Sequence, residues 1–363
     1  MGDLPYGQRI LAWAGGPADP ERFVALGGMR LPAPPDPAAL RRSLDAALAR
    51  HPVLGTGPVP LATVDDVWVA AAAGRYPPDA RSLLWAYLAG RDLLLVAHHT
   101  VADPWSMRLL TRDVLAPRAS PAPAYGDRVG TVHERRMARV LPYWRGVLAG
   151  APVLEPMRGG TAELRVVTAI AQEDAVAVAR AVRSTPFVVL LAAFAQALDP
   201  GPARSDGELL LPVLTYGRER ADWDTVGLFM NVLPVRLADR RLGAVHRAFA
   251  EAYTHEIPFP VLLDAVPEAD GLFGVGGPSL AQFEVIQVPP ACGGEPLTVP
   301  AGLELGGPVL PVNGLAFWLE PGAGGAYTAC VRYRRSYGAA AARDLVRRFT
   351  KRWEAICADA RGT

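Results

Sequence analysis

Three cysteines in 363 residues, at positions 292, 330 and 357, are too few, too scattered and odd in number to form a disulfide framework. None belongs to a CxxC pair that would begin a zinc site. The chain must therefore hold together by packing, in a compartment that keeps thiols reduced. Charge of one sign is equally scarce. The 37 Lys and Arg balance 36 Asp and Glu, for a net +1, so no overall field draws the protein to nucleic acid or to an anionic membrane. No eighteen uncharged apolar residues follow one another, and the opening MGDLPYGQRILAWAGG lacks the basic-then-apolar order of a secretory leader. A cytoplasmic, unanchored protein is the expectation. Catalytic signatures are sparse too: there is no HExxH, no GxSxG elbow and no Walker loop. The GLFGVGG run at 271 to 277 follows no strand and opens no amphipathic helix, as a dinucleotide loop requires.

What is present is ample apolar material. Half the residues are hydrophobic, and 36 Gly and 35 Pro are dispersed through the chain. PAALRRSLDAALAR (37 to 50) opens on proline and carries Leu40, Leu44, Ala47 and Leu48 on one helical stripe. Asp92 to His99 has the length and content of a buried strand, and Pro104 to Ala116 reads as a helix with Asp103 as its N-cap. Further helices are predicted at about 133 to 149, 173 to 183, 186 to 198, 243 to 256 and 338 to 360. Strands are predicted at 208 to 214, 232 to 237, 281 to 288, 312 to 319 and 327 to 334. Elements of both kinds interleave in each half, so the class is α/β or α+β with a mixed sheet in each. The Gly/Pro-dense GAPVLEPMRGGT marks the lobe boundary, giving lobes at 1–155 and 156–363.

The densest chemistry lies in LLLVAHHTVADPWSMRLL (93 to 110), which holds two of the six histidines. Neighbouring strand residues point to opposite faces, so only one of His98 and His99 can face a cavity. Burial of both as hydrogen-bonded core residues is the plain alternative. A metal would need a third ligand that the neighbourhood lacks. Asp103 can cap the helix with one oxygen, while its second seeks a cation. A histidine with neither nucleophile nor metal beside it points to general-base work on a substrate that brings its own nucleophile.

Several blocks, in order, resemble the condensation domains of nonribosomal peptide synthetases, in the chloramphenicol-acetyltransferase-like superfamily. HHTVADPWS (98 to 106) is similar to the signature HHxxxDGxS. LPYGQRILAW (4 to 13), LRRSLDAALARHPVLGT (40 to 56), YWRGVLAGAP (143 to 152), TPFVVLLAAFAQAL (185 to 198), YGRERADWDTVGLFMNVLPVRL (216 to 237), YTHEIPFPVLLDAV (253 to 266) and FEVIQ (283 to 287) resemble the family's other motifs. The resemblance implies two acetyltransferase-like lobes in a V-shaped pseudo-dimer with a tunnel between them. Carrier proteins would deliver thioesters on phosphopantetheine arms, no cofactor or metal would be bound, and the protein would act as a monomer.

By the same resemblance His99 is the catalytic base that meets an amine attacking the donor thioester. His98 and Asp103 are structural, and Arg9 pairs with Asp103. Trp105, Ser106 and Asn231 are candidate tunnel-lining residues; core packing and a buried crossover contact are their plain alternatives. His51, His133, His246 and His255 read as surface or cap residues. The chain departs from the family at Pro104, which replaces a glycine and removes an N–H, and in a shorter stretch before the histidines. The chain ends after one helix, which implies a freestanding protein. Three alternatives stay open: a silent docking module that recruits a partner to a carrier-bound peptide, an ester-forming relative, and an epimerase, which the YGRE at 216 to 219 echoes.

Overall fold

The computed structural model describes residues 20–118, 120–125, 134–199, 207–273, 276–286, 295–297, 299–300 and 313–362. In chain order its elements begin with β1 (Val24–Arg30), α1 (Pro37–Arg50), β2 (Leu61–Thr63), α2 (Val67–Ala73), β3 (Leu84–Ala89), β4 (Asp92–His98), α3 (Pro104–Leu115) and α4 (Glu134–Leu148). They continue with β5 (Thr161–Ala171), α5 (Gln172–Ala181), α6 (Pro186–Ala197), β6 (Leu209–Thr215), β7 (Asn231–Leu237) and α7 (Leu242–Thr254). The last are α8 (Phe259–Ala265), α9 (Pro267–Phe273), β8 (Leu280–Val285), β9 (Glu295–Pro296), β10 (Gly314–Pro321), β11 (Ala326–Arg334) and α10 (Ala339–Gly362).

Local chemistry explains the boundaries. Asp36 accepts from the amides of Ala38 and Ala39 at 3.1 Å, and Pro37 takes the first turn of α1 without wasting a donor. Thr185 and Pro186 start α6 in the same way. Of the 271 to 277 run, 271 to 273 close α9, and the next described element is the strand β8 rather than a helix, whereas a phosphate loop opens a helix.

Contacts divide the chain into two compact units. The first holds 1–131, 216–230 and 287–310, and the second 132–215, 231–286 and 311–363. Where the sequence predicts one cut near 155, α4 already belongs to the second unit. The hairpin connection 216–230, whose flanks pair at Thr215 and Asn231, belongs to the first.

Unit one is built on a mixed sheet ordered β2-β3-β4-β1-β9. β4 alternates as a central strand should: Leu93, Leu95 and Ala97 join Leu40, Leu44, Met107 and Leu110 in one cluster, while Leu94 and Val96 join Val67, Trp68 and Tyr76 in another. Unit two is built on a six-stranded mixed sheet ordered β5-β11-β10-β8-β6-β7. A chain of rings locks helices to that sheet. Phe194 of α6 lies 5.1 Å from Phe283 of β8 and 5.0 Å from Phe317 of β10, and Phe317 lies 4.9 Å from Phe349 of α10. Burial of α6 from Val188 to Ala195 accounts for its hydrophobicity. No single helix among the described residues is long and apolar enough to cross a membrane.

Candidate active site

The site lies in unit one, where β4 hands over to α3. The His99 amide donates to the Phe23 carbonyl at 2.8 Å, carrying the β1–β4 ladder one residue past the end of β4. The chain then turns, with Val101 N–H bonded to the His98 carbonyl, and Asp103 caps α3 through Ser106 N–H at 2.8 Å. Pro104 occupies the first helical position, where no intrahelical donor is needed. The proline is thus absorbed by the helix start.

The two imidazoles have opposite surroundings. His98 is fully buried, with Nε2 3.1 Å from the Pro20 carbonyl and Nδ1 2.7 Å from Thr100 Oγ1. A carbonyl can only accept, so Nε2 carries the proton and Nδ1 accepts from the threonine. Burial pushes the His98 pKa down to about 4, with the neighbouring His99 adding to the fall and the Pro20 carbonyl opposing it. His99, half-buried, stacks on the Phe23 ring at 5.2 Å and an interplanar angle of 28°. Its buried Nδ1 has no hydrogen-bond partner among the described residues. Burial lowers its pKa as well, while its own carbonyl, the Asp103 charge and the Ala102 carbonyl pull the other way.

Asp103 is fully buried and saturated. It accepts from Ser106 N–H, from Phe229 N–H at 3.0 Å, and from Arg218 Nη2 at 2.9 and 3.0 Å. Arg9 lies outside the described residues; among the described residues the cation on Asp103 is Arg218 of the 216–230 connection. Arg218 is itself nearly inaccessible. Its Nη1 donates to the Asp222 and Thr225 carbonyls, and its guanidinium lies 4.1 Å over the Phe229 ring. The quoted YGRE held this arginine; what hid it was a separation of 115 residues from Asp103.

Ser106 joins α3 to the 216–230 connection. Fully buried, it donates to the Gly227 carbonyl at 2.7 Å and accepts from Gly227 N–H and Arg218 Nη2. Trp105 is half-buried, its indole N–H held by the Trp223 carbonyl at 3.1 Å and its ring 5.9 Å from Tyr216. Asn231 belongs to unit two. It donates to Glu256 and to the Ile257 carbonyl, and accepts from Phe259 N–H at 2.8 Å, so it serves as a buried brace between β7 and the start of α8. His51, read as a cap, does end α1, but it is also buried with Nε2 2.8 Å from Asp113. Among the described residues no group of three or more His, Cys, Asp or Glu side chains is placed to hold a metal ion.

No protein-family profile matches the chain. In sequence it is 30% identical over 305 residues to CymA of Salinispora arenicola, a probable non-canonical nonribosomal peptide synthetase; the match covers 65% of this chain but only 4% of that protein. In structure it is similar to the condensation domain of the monacolin K polyketide synthase MokA, with a TM-score of 0.76 and 17% identity over 98% of this chain and 96% of that one. It is also similar to the X-domain from teicoplanin biosynthesis, solved in complex with OxyB, with a TM-score of 0.67 and 18% identity over 97% and 93% of the two chains.

Proposed function

We propose that the chain, which resembles condensation domains in its ordered motif blocks and in its fold, is an acyltransferase of nonribosomal peptide or related natural-product biosynthesis, joining a carrier-bound acyl thioester to an amine with His99 as general base. The observation that carries this reading is the contrast between the two imidazoles: His98 is spent on structure, whereas His99 has no partner on Nδ1 among the described residues and keeps part of its surface open. A lowered pKa leaves its ring neutral at physiological pH and able to take a proton.

In this reaction the amine nitrogen attacks the thioester carbonyl, the new C–N bond forms, and the nitrogen turns cationic. His99 takes the surplus proton. As the C–S bond breaks, the imidazolium returns that proton to the departing thiolate of the carrier's phosphopantetheine arm, leaving amide and free thiol. No protein nucleophile is consumed. Asp103 is turned away from this chemistry by its four acceptor contacts, and its role is to fix the turn that presents His99.

Intact-protein mass spectrometry of acyl-carrier donors mixed with candidate amines tests the reading. Wild-type protein is expected to give product, and His99→Ala to slow it by roughly a hundred- to ten-thousand-fold with an unchanged melting temperature. Equal rates from both proteins remove His99 from the mechanism. A second reading, recruitment without catalysis, is favoured by the likeness to the X-domain solved with OxyB. Tight carrier binding with no product from any donor and amine pair supports that reading instead.

A further inference from the structure

Besides the hydrogen bond from Trp105 to the Trp223 carbonyl, two clusters that include buried ion pairs fasten the 216–230 connection to the rest of unit one. At the first, Arg218, Gly227 and Phe229 close on Asp103 and Ser106. The fit is tight: a Cβ added to Gly227 would come within 2.0 Å of the Tyr125 ring, whose hydroxyl donates to the Leu228 carbonyl. At the second, Asp224 receives three arginines. Arg50 of α1 reaches Oδ2 at 2.6 Å, while Arg112 of α3 and Arg118 reach Oδ1 at 2.7 and 2.5 Å. The same three arginines also hold Asp113, which is buried together with Arg50 and His51. Burial opposes ionisation of both carboxylates, but the arginines, together with His51 at Asp113, hold them below the usual carboxylate range.

The two fastenings differ in kind. Around Asp103 the ion pair is almost wholly removed from water, while Asp224, Arg112 and Arg118 keep 38%, 26% and 39% of their side chains exposed. Without Asp224, three cations would crowd Asp113 with one carboxylate among them. The connection would then lose its charged fastening and keep the Arg218 end and the hydrogen bond from Trp105 to the Trp223 carbonyl. We infer that Asp224 is a positioning residue: by docking on Arg50, Arg112 and Arg118 it keeps the 216–230 connection in register, so that Arg218 meets Asp103 and the His99 turn stays fixed. The role rests on the His99 reading only for its catalytic consequence; the docking itself is measurable without any substrate.

The test is hydrogen–deuterium exchange of the full chain, followed in peptides that cover 216–230, for wild type, Asp224→Asn and Asp224→Glu, at low salt and in about 1 M NaCl. Expected is a rise of about tenfold or more in exchange at the Gly227 and Phe229 amides in Asp224→Asn, with the strands of unit one unchanged. Asp224→Glu should restore most of the protection. Salt should loosen the wild-type connection and leave Asp224→Asn as it is, because only a partly exposed ion pair is screened. Unchanged exchange in Asp224→Asn overturns the inference, and so does a uniform rise through all of unit one, which would make Asp224 a general stabiliser. Neither outcome bears on whether His99 catalyses acyl transfer.

Discussion

His98 and His99 share a backbone and almost nothing else. His98 titrates near 6.5 in an unfolded chain and at about 4 in the fold, so between those values the unfolded chain binds more protons. Stability is therefore intact above pH 6.5 and lost as the pH falls toward 4, by roughly 3 kcal/mol for this group. Nitrogen NMR of the ring at pH 5 should find it neutral and protonated on Nε2; an imidazolium there would refute the assignment. Asp103 makes a different argument. With Asp103→Asn, Arg218 keeps its charge in a buried place without a counter-ion, a change expected to cost about 3 to 5 kcal/mol in chemical denaturation. Adding Arg218→Gln to that variant should recover part of the loss, since the orphaned charge is gone. A double variant weaker by the full sum would mean that the pair is not the reason.

At the scale of elements, what the sequence made legible is what has a periodic face or a cap. α1, β4 and α3 were readable because Asp36, Pro37, Asp103 and Pro104 punctuate runs of regular apolar spacing. β1 was not, because VALGGMR carries two glycines and strands usually exclude them. The structure supplies their reason at one of the two: a Cβ on Gly27 would come within 3.1 Å of Thr111 Oγ1 and 3.2 Å of Met107 Cβ, so the bare backbone lets α3 settle on the sheet. Gly27→Val should accordingly lower stability by about 1 to 3 kcal/mol through overpacking, as read by urea denaturation. β5 escaped for another reason. It is an edge strand whose inner residues are mostly half-buried, so it shows no apolar run.

At the scale of the molecule, ordered motif blocks sufficed to indicate the fold class, since each block is a local pattern. They could not reveal which distant segments share a unit. The 216–230 connection is continuous with a hairpin of unit two yet packs into unit one, and nothing in its local spacing announces that. The consequence concerns a fragment cut at the linear boundary. A chain of residues 1–155 retains the whole β1–β4 sheet and α3, but it lacks Arg218 and Phe229 N–H for Asp103, Gly227 for Ser106, and Asp224 for the three arginines. An ionised carboxylate left buried without its cation is among the costliest defects a small domain can carry, and a domain's whole margin is only about 5 to 15 kcal/mol. Residues 1–155 alone should therefore show no cooperative thermal transition by near-ultraviolet circular dichroism. Mixing with a 156–363 fragment should restore one. A cooperative transition from the first fragment by itself would place the functional boundary where the Gly/Pro-dense stretch does, and would make the 216–230 connection an accessory rather than a part of the unit it completes.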